Sequence, residues 1–183
     1  MMNLCIHRSI CLKHVILGAF SLLISCAGFA QIQDPVDWQF GLYPSDKLGF
    51  QDLVIRAELE SSWHIYSQDN DPYVGPVPTS IEITLPKGVT SAEEGFEECT
   101  PTEEYDPNFL LDLKFFSNSA TWWKTLNCRQ AVPGDSIRGE VVFMVCNDQM
   151  CLPPEYLQFS VGVDDLKNLN ERPEYCTIQG SID

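Results

Sequence analysis

The chain has 183 residues, 11 basic against 26 acidic side chains, a formal net charge of −15 and eight cysteines. That length suits one domain with a sizeable core. So acidic a surface repels phosphate backbones, which sets nucleic acid aside as a partner, and it also serves simply as a solvated exterior.

Residues 1–30 are expected to be a signal peptide. Arg8 and Lys13 precede an apolar run from Val15 to Ile24, and Gly28-Phe29-Ala30 places small residues where a signal peptidase reads. The run falls short of the roughly 20 apolar residues a membrane helix needs. A second processing reading competes, because Leu23-Ile24-Ser25-Cys26 resembles a lipoprotein site with Cys26 lipidated. Either route delivers the chain to an oxidising compartment, where its remaining cysteines can form disulfides. Removing the leader takes two of the 11 bases and none of the 26 acids, which leaves a charge of −17.

From residue 31 to 165 the pattern predicts an all-β domain. Trp38-Gln39-Phe40 alternates, Leu53, Ile55, Ala57 and Leu59 share one face, and Trp63-His64-Ile65-Tyr66 begins a further strand. Asp69 to Pro78 is a loop rich in Pro, Asp and Gly, and Ile81, Ile83 and Leu85 alternate up to the turn Pro86-Lys87-Gly88. Thr90 to Pro107 is acidic and aperiodic, and is expected to be one long loop around Phe96. Phe109 to Phe116 and Ala120 to Leu126 read as a hairpin turning at Ser117-Asn118-Ser119. Trp122 and Trp123, adjacent on a strand, point to opposite faces, so only one can enter the core. Val141 to Cys146 and Tyr156 to Val163 complete about eight strands. Beyond a turn at Asp164 to Leu169, residues 166–183 are expected to be a polar tail. Many short strands separated by turn residues indicate an antiparallel sandwich of immunoglobulin-like type.

The chemistry concentrates where one strand ends on Cys146, turns over Asn147-Asp148-Gln149-Met150, reaches Cys151 and is stopped by Pro153-Pro154. A tight turn can hold the two Cα atoms at disulfide distance. A bridge closing so short a loop stabilises by only about 2 kcal/mol, against about 3.5 for a thirty-residue loop such as Cys99 to Cys128. A bridge that stabilises so little, at an accessible turn, is better explained as one that opens and closes than as a structural staple. Cys146 ends a sheltered strand and Cys151 follows an exposed turn, so Cys151 is the sulfur expected to meet a partner. No helix N-terminus follows the pair, and Asp148 and Glu155 lie close, so its thiols are not expected to be strongly activated. Cys99 and Cys128 are expected to form the structural disulfide, as the remaining pair within the domain.

Other readings compete. His64, the only histidine beyond the leader, sits between Trp63 and Ile65 and reads as a strand residue rather than a base. Met144, Cys146, Met150 and Cys151 could together suit Cu(I), whereas Cys99, Cys128 and Cys176 are too scattered for structural zinc. Asp69-Asn70-Asp71 resembles a calcium loop only superficially. A purely structural or adhesive module with a static hairpin disulfide is the third class.

The stretch from Val141 to Glu155, ending Cys-x-x-x-x-Cys-Leu-Pro-Pro-Glu, resembles the N-terminal periplasmic domain of DsbD-type thiol–disulfide interchange proteins. Trp63-His64-Ile65-Tyr66-Ser67 and Leu85-Pro86-Lys87-Gly88-Val89 extend the resemblance from Trp38 to Val163. It implies an immunoglobulin-like fold, a redox-active Cys146–Cys151 pair and no cofactor. The implied activity is of the protein-disulfide reductase type, taking electrons from a membrane donor and passing them to exported thioredoxin-like proteins. In that scheme Cys151 forms the mixed disulfide and Cys146 resolves it. A loop bearing a phenylalanine caps the pair in the family, and Phe96 is the expected match. The intercysteine loop is one residue shorter than in the best-known enterobacterial form. As a free-standing domain, the chain is expected to find its electron donor in another protein.

Overall fold

The computed structural model describes residues 33–91 and 93–176. The leader and Cys26 lie outside the described residues. Among the described residues, twelve strands form three antiparallel sheets. The first runs β1 (Val36–Pro44), β2 (Gln51–Leu59), β9 (Ser119–Asn127) and β5 (Thr90–Ser91), with β6 (Glu97–Glu98) also paired to β9. The second is β12 (Glu155–Gly162), β10 (Ser136–Phe143) and β4 (Ser80–Thr84), and the third is β11 (Val145–Cys146), β3 (His64–Tyr66), β8 (Leu111–Ser117) and β7 (Thr102–Asp106).

The inward faces meet in one core. Leu42, Leu53, Ile55, Trp122 and Leu126 come from the first sheet, Ile137, Val141, Phe143 and Phe159 from the second, and Ile65 and Phe116 from the third. The period-2 pattern of Leu53, Ile55 and Ala57 places these three on the core side, where all are fully buried. The architecture is therefore the all-β, immunoglobulin-like antiparallel sandwich that the strand pattern predicts.

Three departures from the sequence reading shape the site. Phe109 to Leu126 is not a hairpin: β8 pairs with β3 and β7, whereas β9 pairs with β2, β5 and β6. The turn at Asn118, with φ of 65°, instead carries the chain from the third sheet to the first. Val141 to Cys146 is not one strand either. It breaks at Met144, so that β10 pairs with β12 and β4 while β11 pairs with β3. The acidic stretch from Thr90 to Pro107, expected to be a long loop, contributes three short strands. One of them positions Glu98, whose carboxylate accepts the buried Trp122 indole N–H at 2.7 Å, the Ser67 hydroxyl and the Gln68 backbone N–H. Such side-chain pairing has no periodic signature.

The segment from residue 166, read as a polar tail, is tied down as far as Cys176. Lys167 donates its backbone N–H to the Leu42 carbonyl, and Arg172 reaches the Pro44 carbonyl and Asp46. The Tyr175 hydroxyl donates to Asp52 at 2.7 Å, and its ring stacks on Trp123 at 4.7 Å. Asp52, Val54 and Trp123 occupy the outer face of the first sheet, opposite buried Leu53 and Trp122. The tail covers that face, which is why Asp52 and Val54 are buried as well. Cys176 closes the arrangement with a disulfide to Cys99, not to Cys128; Cys128 is a free, half-buried thiol whose pKa is raised by burial. The expected Cys99–Cys128 pairing fails because the tail, which carries no strand pattern, brings Cys176 back to Cys99.

The Cys99–Cys176 bridge spans 77 residues, long enough to stabilise by up to about 4.5 kcal/mol in the chain-entropy model. The double substitution Cys99→Ser with Cys176→Ser is expected to lower the urea-unfolding free energy by about 3–4 kcal/mol. It should also shift tryptophan emission to the red as Trp123 is uncovered. Unchanged emission would show that the tail stays docked without its disulfide.

Candidate functional site

The cysteine turn is held by its own first residue. Asn147 Oδ1 accepts the backbone N–H groups of Gln149 and Met150 at 2.9 and 3.0 Å, and Asn147 N–H donates to the Met150 carbonyl. This is the local bonding that makes Asn a turn former. Leu152 N–H donates to the Val145 carbonyl, which sets Cys146 and Cys151 opposite each other, and a disulfide joins them. Cys146 is fully buried, whereas Cys151 is partly exposed. The two sulfurs are therefore unequal, one sealed in the sheet and one at the surface.

Around Cys146 lies a small apolar cluster, separate from the main core. Tyr66, Leu113 and Cys146 form its buried part, and Phe109, Leu111, Phe115, Met144 and Cys151 pack against it. Phe96 is not among them. It belongs to the main core, with the Lys124 ammonium 5.5 Å from its ring, and its carbonyl accepts the Gln68 side-chain amide at 2.8 Å. Pairing of Glu97 and Glu98 with Trp123 and Trp122 ties this stretch to the first sheet, away from the cysteines.

The phenylalanine beside the pair is Phe109, set edge-on to the Tyr66 ring at 6.0 Å. It sits on the turn from β7 into β8, where Asp106 accepts the Asn108 backbone N–H at 2.7 Å and Leu110 adopts a φ of 59°. Asn108 Nδ2 donates to the Asn147 carbonyl at 3.0 Å, joining this turn to the cysteine turn. Exposed Leu110 and Met150 belong to these two turns. In the sequence, the signal was the turn string Asp106-Pro107-Asn108 running directly into Phe109.

Behind the bridge is a polar network that sequence reasoning missed. Tyr66 donates its hydroxyl to Asp106 Oδ2 at 2.5 Å, and His64 Nε2 lies 3.2 Å from Tyr66 Oη and 3.4 Å from Asp106 Oδ2. A hydroxyl already donating to Asp106 has only lone pairs to offer His64, so Nε2 carries the ring hydrogen. Burial works against ionisation of Asp106. The Tyr66 hydroxyl, Asn108 and His64 outweigh it and hold the carboxyl below its usual range. Burial, reinforced by Asp106, pushes the Tyr66 hydroxyl far up. For His64, burial lowers the pKa below the usual imidazole value, and Asp106 and Asp148 offset this only in part.

Among the described residues, no three His, Cys, Asp or Glu side chains are grouped so as to hold a metal ion. The Asp69-Asn70-Asp71 stretch is used internally, with Asn70 bonded to Ser67 and to the Lys114 backbone.

The two phenylalanines separate experimentally. Phe109→Ala is expected to speed reduction of the Cys146–Cys151 bridge by dithiothreitol several-fold, because access limits exchange at a shielded disulfide. Phe96→Ala should leave that rate unchanged and cost about 3–4 kcal/mol of stability, the usual result of emptying a core aromatic site. Equal rates in both variants would remove Phe109 from any shielding role.

Residues 38–162 match the family model described as thiol:disulfide interchange protein DsbD, N-terminal. No curated protein matches the chain. Among solved structures, the reduced N-terminal domain of Neisseria meningitidis DsbD is 13% identical with a TM-score of 0.46, over 70% of this chain and 84% of that one. The complex of the DsbD and PilB N-terminal domains from the same organism gives 12% and 0.43, over 67% and 80%. The N-terminal periplasmic domain of ScsB from Proteus mirabilis gives 13% and 0.45, over 75% of this chain and 49% of that one. These likenesses are distant, and the assignment rests on the sequence match, which takes in most of the sandwich together with the cysteine turn and the Tyr66–Asp106 network. The chain belongs to the family of DsbD N-terminal domains, whose business is thiol–disulfide interchange.

Proposed function

We propose that this protein is an exported thiol–disulfide exchange protein. It relays electrons from a membrane donor to thioredoxin-like partners through a reversible Cys146–Cys151 disulfide. The observation that carries the reading is the inequality of the two sulfurs, since Cys146 is fully buried and Cys151 is partly exposed on a four-residue turn. Exchange proceeds by in-line attack through a mixed disulfide, and a partner can form one only with the sulfur it reaches.

In the reduced protein, Cys151 as thiolate attacks the partner's disulfide, and one partner sulfur leaves as a thiolate. Cys146 then attacks Cys151 Sγ, the mixed disulfide breaks, and the partner departs as a dithiol. Two electrons pass to the partner, and the Cys146–Cys151 bridge forms. The membrane donor reduces that bridge by the same steps in reverse. Exposed Leu110 and Met150, on the two joined turns, give a partner apolar surface beside Cys151. Delivery follows from the leader over residues 1–30, with cleavage after Ala30 or lipidation at Cys26, and places the domain in the periplasm.

Cys146→Ser is expected to trap a covalent complex with an exported thioredoxin-like protein, visible as a reducible band in a non-reducing gel. Cys151→Ser should trap none. Trapping by Cys151→Ser alone would reverse the roles of the two residues. No complex with either variant, together with a bridge that stays oxidised in strongly reducing glutathione buffers, would leave the pair as a static hairpin disulfide.

A further inference from the structure

The exchange cycle leaves one chemical need unmet. Cys146 must lose a proton before it can attack, yet it is fully buried, so water does not reach it freely. An apolar surrounding also holds a thiol protonated. The apolar cluster that holds Cys146, with Tyr66, Leu113, Met144 and Phe115, supplies no group that accepts a proton at neutral pH.

His64 is the side chain placed to do so. It is the direct register partner of Cys146 in the β11–β3 ladder, and cross-strand partners stand on the same face with Cβ atoms about 4.5–5.5 Å apart. Its orientation is fixed by Phe115, 4.7 Å away between ring centroids, and by the Tyr66–Asp106 pair at Nε2. Because Nε2 carries the hydrogen, the lone pair of the neutral ring is on Nδ1. A proton taken up there would create an imidazolium beside the buried Asp106 carboxylate, which compensates the new charge.

We propose that His64 is the base that takes the proton of the Cys146 thiol as Cys146 attacks the mixed disulfide on Cys151, with Asp106 and Tyr66 as its positioning residues. The inference rests on the exchange reading above. In the step, the Cys146 S–H bond breaks and its proton passes to His64 Nδ1. The Cys146 sulfur bonds to Cys151 Sγ, and the Cys151–partner bond breaks. The partner's thiolate takes up a proton, either the one on His64 or one from solvent. Charge and electrons balance without a further reactant.

The charged and titratable groups facing His64 are Tyr66 on its own strand, Glu104, Tyr105 and Asp106 from β7, and Cys146 and Asp148 from the cysteine turn. Among these described residues there is no Lys or Arg, and His64 is the one whose ordinary titration range lies near neutral pH. Burial keeps its ring neutral, and able to accept a proton, at pH 7.

The test uses 5,5′-dithiobis(2-nitrobenzoate) with the pair reduced and the Cys99–Cys176 bridge intact. The background Cys5→Ser, Cys11→Ser, Cys26→Ser, Cys128→Ser leaves no other thiol. The first thionitrobenzoate released reports attack by Cys151. The second, independent of reagent concentration, reports attack by Cys146, and its leaving group needs no proton. With His64 present, the second rate should rise as the imidazole loses its proton and then level off by pH 7. In His64→Gln it should be at least about tenfold slower at pH 7, the lower range for a general base. It should also climb about tenfold per pH unit towards the thiol's own range. Asp106→Asn, which keeps an acceptor for Tyr66, should move the levelling point to lower pH, because the carboxylate that holds a proton on the ring is gone.

A His64→Gln profile that coincides with wild type, or lies parallel to it at a constant factor, overturns the role of His64 while the exchange reading stands. Should His64→Gln fail to fold, an unmoved levelling point in Asp106→Asn overturns it equally. Absence of the second release in the wild-type protein defeats the exchange reading, and the inference with it.

Discussion

Two residue pairs hold the functional end of the molecule together: Val145 opposite Ile65, and Cys146 opposite His64. The strand that begins in the second sheet breaks at Met144 and joins the third for these two positions only. A continuous strand would have kept Cys146 in the second sheet, far from β3. The break lets the chain turn within reach of Tyr66, Phe109 and Asp106, which approach from β3 and from the turn between β7 and β8. Burial of Cys146, exposure of Cys151 and the placing of His64 all follow from that transfer.

A chain this acidic has few cations with which to neutralise buried carboxylates, and apart from the Arg172 guanidinium 3.9 Å from Asp52 the structure uses neutral donors. Asp106 is held by the Tyr66 hydroxyl, Glu98 by the Trp122 indole and the Ser67 hydroxyl, and Asp52 by the Tyr175 and Thr125 hydroxyls. Hydrogen bonds to an ionised acceptor are stronger than neutral ones, and they fix direction as well as distance. Each of these acids ties together segments far apart in sequence. Asp52 anchors the tail, Glu98 pins the acidic stretch to the first sheet, and Asp106 joins the β7–β8 turn to β3. Glu98 shows what this costs, because burial raises its pKa despite three donors.

The two disulfides lie in different parts of the domain. The tail, sealed by Cys99–Cys176, covers the outer face of the first sheet. The Cys146–Cys151 bridge sits on a turn stabilised mainly by Asn147 and Asn108. One disulfide closes 77 residues and the other only five, so the first removes more entropy from the unfolded chain than the second.

The strand periods of β2, β4 and β12, the opposite destinations of Trp122 and Trp123, the turn between Cys146 and Cys151 and the family itself were legible in the amino-acid order. All are local, written in two-residue alternation or a few turn residues. Where the chain crosses between sheets was not legible, because Asn118 and Met144 look like an ordinary turn and an ordinary strand position until their partners are known. The same holds for the partner of Cys99, for Phe109 rather than Phe96 beside the pair, and for His64 meeting Asp106 across 42 positions of sequence. His64 by itself is one more residue on a strand. Its environment comes from register between β3, β8 and β11, and register is a property of the folded sheets, which no single segment carries.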